Sequence, residues 1–285
     1  MGKTRKKPVL VIAGPGAGKT HDMVDRIMEV IPHLDSHRIL AAITYTNAAT
    51  DIIKKKLSKR IRIPTNVFIG TNHSFCYRFI FKPFGNLVGK LPKELIFADL
   101  NYDAMAKGSR GVKKIVINSL KKKNLAKGLY DYDQILSVSA NIIQDSKEVR
   151  MILCNRLQYL FIDEFQDVNG SQFHIFDAIR KEGNTTIYAV GDPEQYIIRY
   201  TDTIKDYRKI AIKKFQKKAI IVKNKKNQRS CDQIVRFTKQ FHCEIDQKSC
   251  KGTDENGGVY FISDTDLDGI VKSYRHLTSV LEKNG

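Results

Sequence analysis

Two stretches of this chain hold side chains whose types and spacing suit chemistry on a polyphosphate. The first, Ala13-Gly14-Pro15-Gly16-Ala17-Gly18-Lys19-Thr20, follows the apolar run Val9-Leu10-Val11-Ile12 and precedes an amphipathic segment, residues 21–31. Strand, loop and helix are expected in that order. Gly14, Gly16 and Gly18 let the backbone curl so that successive amides point inward, and the following helix adds its positive N-terminal end. Lys19 is then placed to reach the β and γ phosphates, and the Thr20 hydroxyl to hold Mg²⁺. The strict pattern for such a loop opens on glycine, and Ala13 stands there instead. The second stretch, Phe161-Ile162-Asp163-Glu164-Phe165-Gln166-Asp167, sets two acids directly after an apolar run. Asp163 suits Mg²⁺ binding, usually through water, and Glu164 suits the orientation and deprotonation of an attacking water. A glycine-rich turn of some other α/β fold, or an exposed acidic turn, would account for one stretch but leaves their co-occurrence unexplained.

The elements that must position these residues can be read from the hydrophobic pattern. Buried strands are expected over 9–12, 39–44, 66–70, 157–163 and 185–190, and helices over 21–31, 48–57, 73–81, 131–143 and 172–180. Alternating strands and helices imply an α/β fold with a parallel sheet flanked by helices. Acids at the C-terminal ends of its strands then lie at the edge where an open α/β sheet binds ligands. Pro83, Gly85, Gly89 and Pro92 break the pattern, and the lysine-rich stretch after them reads as an inserted all-helical subdomain, residues 83–130. Residues 1–82 with 131–203 form the main lobe, and 204–285 the beginning of a second α/β lobe. In this last part, 205–218 reads as a basic helix, 219–222 and 257–263 as short strands, and 230–241 and 266–281 as helices. No repeat or low-complexity segment interrupts the chain.

At 285 residues, with 42% hydrophobic content, the chain can bury a substantial core. No run reaches the roughly 18 apolar residues of a membrane span. Lys and Arg number 49 against 30 Asp and Glu, a net charge of +19, which suits a polyanionic partner such as nucleic acid or reflects a lysine-rich composition with solvated faces. The five cysteines (Cys76, Cys154, Cys231, Cys243, Cys250) are odd in number and scattered, as for reduced thiols. His242, Cys243 and Cys250 match no common zinc spacing. A cytoplasmic protein without membrane contact is expected.

The Asp-Glu-Phe-Gln-Asp string, together with the glycine-rich loop, resembles the UvrD/Rep type of superfamily 1 DNA helicases, whose motor lobes are RecA-like P-loop NTPase folds. Four further stretches agree in order. Thr44-Tyr45-Thr46-Asn47-Ala48-Ala49 is similar to the family's Thr-Phe-Thr-Asn element, and Thr71-Asn72-His73-Ser74-Phe75 to its Thr-x-His-Ser-Phe element. Gly191-Asp192-Pro193-Glu194-Gln195 is similar to its Gly-Asp-x-x-Gln sensor, and Asn227-Gln228-Arg229-Ser230 to its Asn-Tyr-Arg-Ser element. The resemblance implies an ATP and Mg²⁺ site made of the loop, Lys19, Thr20, Asp163, Glu164, Gln195 and Arg229. Gln195 would sense the γ phosphate and Arg229 neutralise its charge in the transition state. It also implies a single-stranded DNA track lined by Tyr45, Thr46, Asn47, Thr71, His73 and Tyr200. Hydroxyl and amide groups there would bind phosphates, and the tyrosine faces would stack bases; Tyr45, Tyr200 and His73 are equally residue types that pack structurally.

Departures from the family pattern temper these implications. The adenine-recognising glutamine of the family lies further ahead of its loop lysine than the 18 residues preceding Lys19, and Gln228 replaces the aromatic that packs on the base. Ile198 stands where a stacking tyrosine is usual and Thr201 where arginine is usual. The later motifs of the second lobe have no counterpart before Gly285. The expectation is an ATP-binding and DNA-binding lobe of a UvrD-like 3′ to 5′ helicase, impaired as a motor by itself and completed by further chain or by a partner protein. The alternative is a non-unwinding, nucleotide-gated DNA-binding subunit, such as one serving a partner nuclease in defence or repair.

Overall fold

In the computed structural model of the chain, the residues described are 7–87, 94–98, 102–195, 215–241, 245–254, 259–264 and 266–284. They form two compact units, one drawn from 1–12 with 19–222 and the other from 13–18 with 223–285.

The first unit is built on a sheet of β1 (Val9–Ala13), β2 (Ile39–Thr44), β3 (Val67–Thr71), β6 (Leu157–Ile162), β7 (Thr186–Gly191) and β8 (Ile220–Asn224) in the order β3-β2-β6-β7-β1-β8. The pairings β3/β2, β2/β6, β6/β7 and β7/β1 are all parallel. Every residue of β2 is buried, as a strand covered by helices on both faces requires. Its composition, Ile-Leu-Ala-Ala-Ile-Thr, fits that position. Register brings Thr44 opposite Thr71 and Ile43 opposite Ile162. The residues that follow these strands therefore share the C-terminal edge.

Helix α1 (Lys19–Val30) packs Met23, Val24 and Ile27 inward, and α2 (Asn47–Ser58) buries Thr50, Ile53 and Leu57 at helical spacing. Helix α3 (Asn72–Cys76) runs into a π-helical turn, Tyr77–Phe81, and a short α4 (Lys82–Phe84). Between α4 and residue 131, α5 (Tyr102–Met105) and α6 (Arg110–Ala126) are helical as expected, but β4 (Ile96–Phe97) and β5 (Leu129–Tyr130) add a two-residue parallel ladder. The Phe97 ring centroid lies 4.5 Å from that of Tyr132, tying this insert to the main body, and 6.0 Å from that of Tyr130 within it. Helix α7 (Tyr132–Asp145) opens with a reciprocal Asp131/Gln134 capping box. Then α8 (Lys147–Arg156) leads into β6, and α9 (Gly170–Glu182) lies between β6 and β7, ending at Gly183 with φ 79°.

The second unit holds the glycine-rich loop with β9 (Lys226–Asn227) paired in parallel to β10 (Lys248–Ser249), helix α10 (Asp232–Lys239) and helix α11 (Leu267–Asn284). The strand expected over 257–263 is not formed in its described part. Residues 259–263 belong to no regular element and pair with no strand among the described residues, and Val259, Tyr260 and Phe261 are exposed. Among the described residues no helix is long and apolar enough to cross a membrane.

Candidate functional site

Lys19 opens α1, and its ammonium group donates to Gln195 Oε1 at 3.2 Å and lies 3.8 Å from Glu164 Oε2. Asp163, the first residue past β6, is 7% exposed. Burial and the neighbouring Glu164 carboxylate push its carboxyl up to about 6, against the opposing pull of the Glu164 amide and Lys19. An ionised Asp163 in this position costs stability, since the fold holds its proton more tightly than the unfolded chain does. A cation at that carboxylate would relieve the cost. Thr20, in the first turn of α1, adds a hydroxyl, and carboxylate with hydroxyl is the hard-oxygen donor set that suits a small divalent ion shared with phosphate oxygens. Among the described residues no group of three or more His, Cys, Asp or Glu forms a dedicated metal cage.

Glu164 is held in the left-handed region, φ 48° and ψ 50°, and is the only non-glycine with positive φ among the described residues. Such strain costs on the order of 1–3 kcal/mol and persists only where the surroundings over-determine it. The surroundings are visible. The Glu164 amide donates to Asp163 Oδ1 at 3.1 Å, and Gln166 Nε2 donates to Glu164 Oε2 at 2.7 Å. Gln166, 3% exposed, also accepts from the Asp192 amide at 2.9 Å, so one carboxamide bridges the ends of β6 and β7. Gly191 makes this possible, because a Cβ there would stand 2.8 Å from Gln166 Oε1. Asp192 Oδ1 accepts from the Glu194 amide at 3.1 Å, and the Gln195 amide donates to the Asp192 carbonyl at 3.1 Å, shaping the turn that presents Gln195 to Lys19. Gln166 is the functional residue the sequence reading passed over. Its signal was its place in the Asp-Glu-Phe-Gln-Asp string, three residues after Asp163.

Within the second unit, the loop itself has the expected glycine geometry at two of three positions: Gly16 and Gly18 have φ of 71° and 81°, and Gly14 does not enter that region. Gly14 instead leaves room for a neighbour, since a Cβ would meet the Gln247 carboxamide at 2.7 Å. Ala13 is the fully buried last residue of β1, where no glycine conformation is needed. The loop carbonyls are held by the Asn-Gln-Arg-Ser stretch. Asn227 Nδ2 donates to Pro15 O at 3.0 Å, the Gln228 amide to Gly16 O at 2.8 Å, and Asn224 Nδ2 to Ala17 O at 3.2 Å. Asn227 Oδ1 in turn accepts from the amides of Arg229 and Ser230, which fixes the turn and keeps exposed Arg229 beside Gly16.

The expected nucleic-acid residues sit at the far end of the same sheet edge of the first unit. Thr46 caps α2 by accepting from the Ala49 amide, and Thr71 caps α3 by accepting from the Ser74 amide. Asn47 and Thr71 line one cavity of about 610 Å³, and Tyr45 is 44% exposed. His73 is half-buried, its ring centroid 5.1 Å from that of Tyr132, and burial lowers its pKa against the opposing pull of Asp133. Tyr200 lies outside the described residues, as do Ile198 and Thr201.

A family model described as AAA domain matches residues 2–201. ATP-dependent DNA helicase Rep of Buchnera aphidicola (subsp. Acyrthosiphon pisum) is 25% identical over 236 residues, covering 67% of this chain and 36% of the relative. Gabija protein GajB of Bacillus cereus is 28% identical over 193 residues, covering 66% of this chain and 37% of the relative. ATP-dependent DNA helicase PcrA of Staphylococcus aureus is 25% identical over 238 residues, covering 68% and 32%. The chain thus spans about a third of the length of these relatives. With a family match over most of its residues and Rep and PcrA among its relatives, the chain belongs to the AAA domain family, in its UvrD/Rep-type helicase group.

Proposed function

We propose that this chain is the nucleotide-binding and DNA-binding part of an ATP-dependent DNA helicase, hydrolysing ATP in a machine that tracks along single-stranded DNA in the 3′ to 5′ direction. The observation that carries the reading is Lys19, which directly follows the glycine-rich loop and joins Gln195 from the end of β7 to Glu164 from the end of β6. Loop amides and Lys19 bind the phosphate chain, and Lys19 exchanges its Gln195 and Glu164 contacts for phosphate oxygens when the nucleotide enters. Glu164, held by Gln166, orients the attacking water and takes its proton. Gln195, released from Lys19, contacts the γ phosphate and carries its presence into the Asp192 turn. By its match to the Asn-Tyr-Arg-Ser element, Arg229 is the residue that would balance charge on the transferring phosphoryl group.

Thr20 and Asp163 are the residues that would hold Mg²⁺, which when bound neutralises phosphate oxygens. Asp163 fits that role because its buried carboxylate carries a charge the fold alone does not compensate. Tyr45, Thr46, Asn47, Thr71 and His73 are proposed to receive the single strand, the cap hydroxyls and the amide toward phosphates and the tyrosine face toward a base. The test is steady-state ATP hydrolysis by the full chain with and without single-stranded DNA. Stimulation by DNA that is lost in Lys19→Ala supports the reading. Hydrolysis that is indifferent to Lys19→Ala refutes it.

A further inference from the structure

The cavity that holds Asn47 and Thr71 does not end at the sheet's C-terminal edge. Its wall continues through Val67, Phe68 and Arg78, and these same three residues line a second cavity of about 330 Å³ around Arg38, Asn66 and Arg156. Val67 begins β3 and Arg156 immediately precedes β6, so the second cavity lies at the opposite, N-terminal edge of the sheet. Among the described residues β3 is one of the two edge strands of the sheet. The shared wall sets the two cavities side by side along this strand, whose five residues span on the order of 17 Å, and we read them as the two ends of one groove.

The lining is of one sign. Arg38, Lys54, Lys55, Arg78 and Arg156 face the groove and no Asp or Glu does. Arg38 is committed to the fold, donating through Nη2 to the carbonyls of Cys154, Leu157 and Asn184, so it contributes field more than contact. The other four are uncommitted to carboxylates among the described residues. Lys54, Lys55 and Arg156 are exposed, and the Arg78 guanidinium lies over Phe68 and Phe79 at 5.7 and 5.5 Å. Stacking in that manner leaves the in-plane N–H groups free to donate to phosphate oxygens. Arg78 and Phe79 belong to the π-helical turn, a distortion often found at functional sites.

We propose that this groove is a phosphodiester-binding channel, in which Lys54, Lys55, Arg78 and Arg156 hold the backbone of a single strand that passes the Asn47–Thr71 end and runs along β3 to the opposite edge. The ligand class rests on the DNA reading above; the charge and continuity of the groove do not. The lining holds no carboxylate, and these four cations suit phosphate oxygens, so recognition is by backbone charge and independent of base sequence.

The test is binding of a fluorescent oligothymidine, long enough to cover both ends of the groove, to the full chain across a salt series. The variant is Lys54→Gln/Lys55→Gln/Arg156→Gln, three exposed positions, with its Tm compared to the wild type. Each phosphate contact adds about 0.7 to the single-strand salt slope, so the variant's slope should be shallower by about 2, with affinity at low salt down at least tenfold. An oligonucleotide too short to pass Thr71 should lose much less. Wild-type binding with a slope unchanged in the variant overturns the channel and leaves the DNA reading intact. An absence of single-strand binding in the wild type overturns both, while the Lys19→Ala nucleotide assay still tests the ATP site separately. Competition by polyglutamate as effective as by oligothymidine would overturn it in favour of an acidic polypeptide.

Discussion

One sheet edge in the first unit carries two regions built on opposite rules. Around the ends of β6 and β7, Lys19, Asp163, Glu164, Gln166 and Gln195 bond mainly to one another, and Asp163 and Gln166 are almost wholly buried. Around the ends of β2 and β3, Thr46 and Thr71 spend their side chains capping their own helices, and Tyr45 and Asn47 face outward. The difference matches the two tasks proposed for them. Positioning one water against one phosphoryl group needs a fixed, interlocked geometry, strain at Glu164 included. Holding a polymer of any sequence needs rigid caps, open aromatic surface and charge nearby. Changes in the first region should therefore act steeply on rate, and changes in the second gradually on affinity.

The largest expected effect is at Glu164. Glu164→Gln keeps the shape and the Gln166 contact but removes the base, so hydrolysis should fall by about 10²–10⁴ while nucleotide binding stays within a few-fold, measured by single-turnover hydrolysis beside equilibrium titration. A loss of binding as large as the loss of rate would break the comparison. Next is Gly191→Ala, whose Cβ would stand 2.8 Å from Gln166 Oε1. It should destabilise the fold by about 1–3 kcal/mol in a denaturant series and also lower hydrolysis, because the bridge from β6 to β7 moves with Gln166. Asp163→Asn should move in the contrary direction on stability: the metal-free, nucleotide-free chain should melt at a higher temperature than wild type at neutral pH, while hydrolysis is lost.

On the open side the effects should be smaller. Tyr45→Ala should weaken single-strand binding by about 1–3 kcal/mol with basal hydrolysis unaltered, read by fluorescence anisotropy. The smallest concerns His73, which burial keeps neutral in the fold below the pH at which it would titrate in the unfolded chain. The unfolded state then binds the extra proton, so stability falls as pH drops through the ordinary histidine range. His73→Asn removes that contribution, and its Tm relative to wild type should rise between neutral and mildly acidic pH. A flat difference would place His73 outside this buried environment.

Much of the candidate nucleotide site was legible because each of its residues follows a strand that pattern alone can find: Val9–Ala13, Leu157–Ile162 and Thr186–Gly191 are buried runs with little ambiguity. What the pattern could not supply were properties of assembly. The left-handed Glu164 and the bridging role of Gln166 arise only when β6 and β7 lie side by side. The ladder of Ile96–Phe97 with Leu129–Tyr130 is two residues long, below any periodicity. Helix α8 carries its apolar residues weakly and is fixed instead by its Ser146 cap and by Arg150, which donates to the carbonyls of Ile143 and Gln144 and pairs with Glu182. In the second unit, residues 259–263 have strand composition but no strand partner among the described residues, and composition alone did not make a strand.

The central claim is that Lys19, at the end of the glycine-rich loop, binds the phosphate chain of a nucleoside triphosphate. Its most direct test is calorimetric titration of a non-hydrolysable ATP analogue with Mg²⁺ into the full chain and into Lys19→Ala. The account predicts saturable binding by the wild type and at least a tenfold weaker Kd, about 1.4 kcal/mol or more, in the variant. Equal affinity in the two proteins would contradict it.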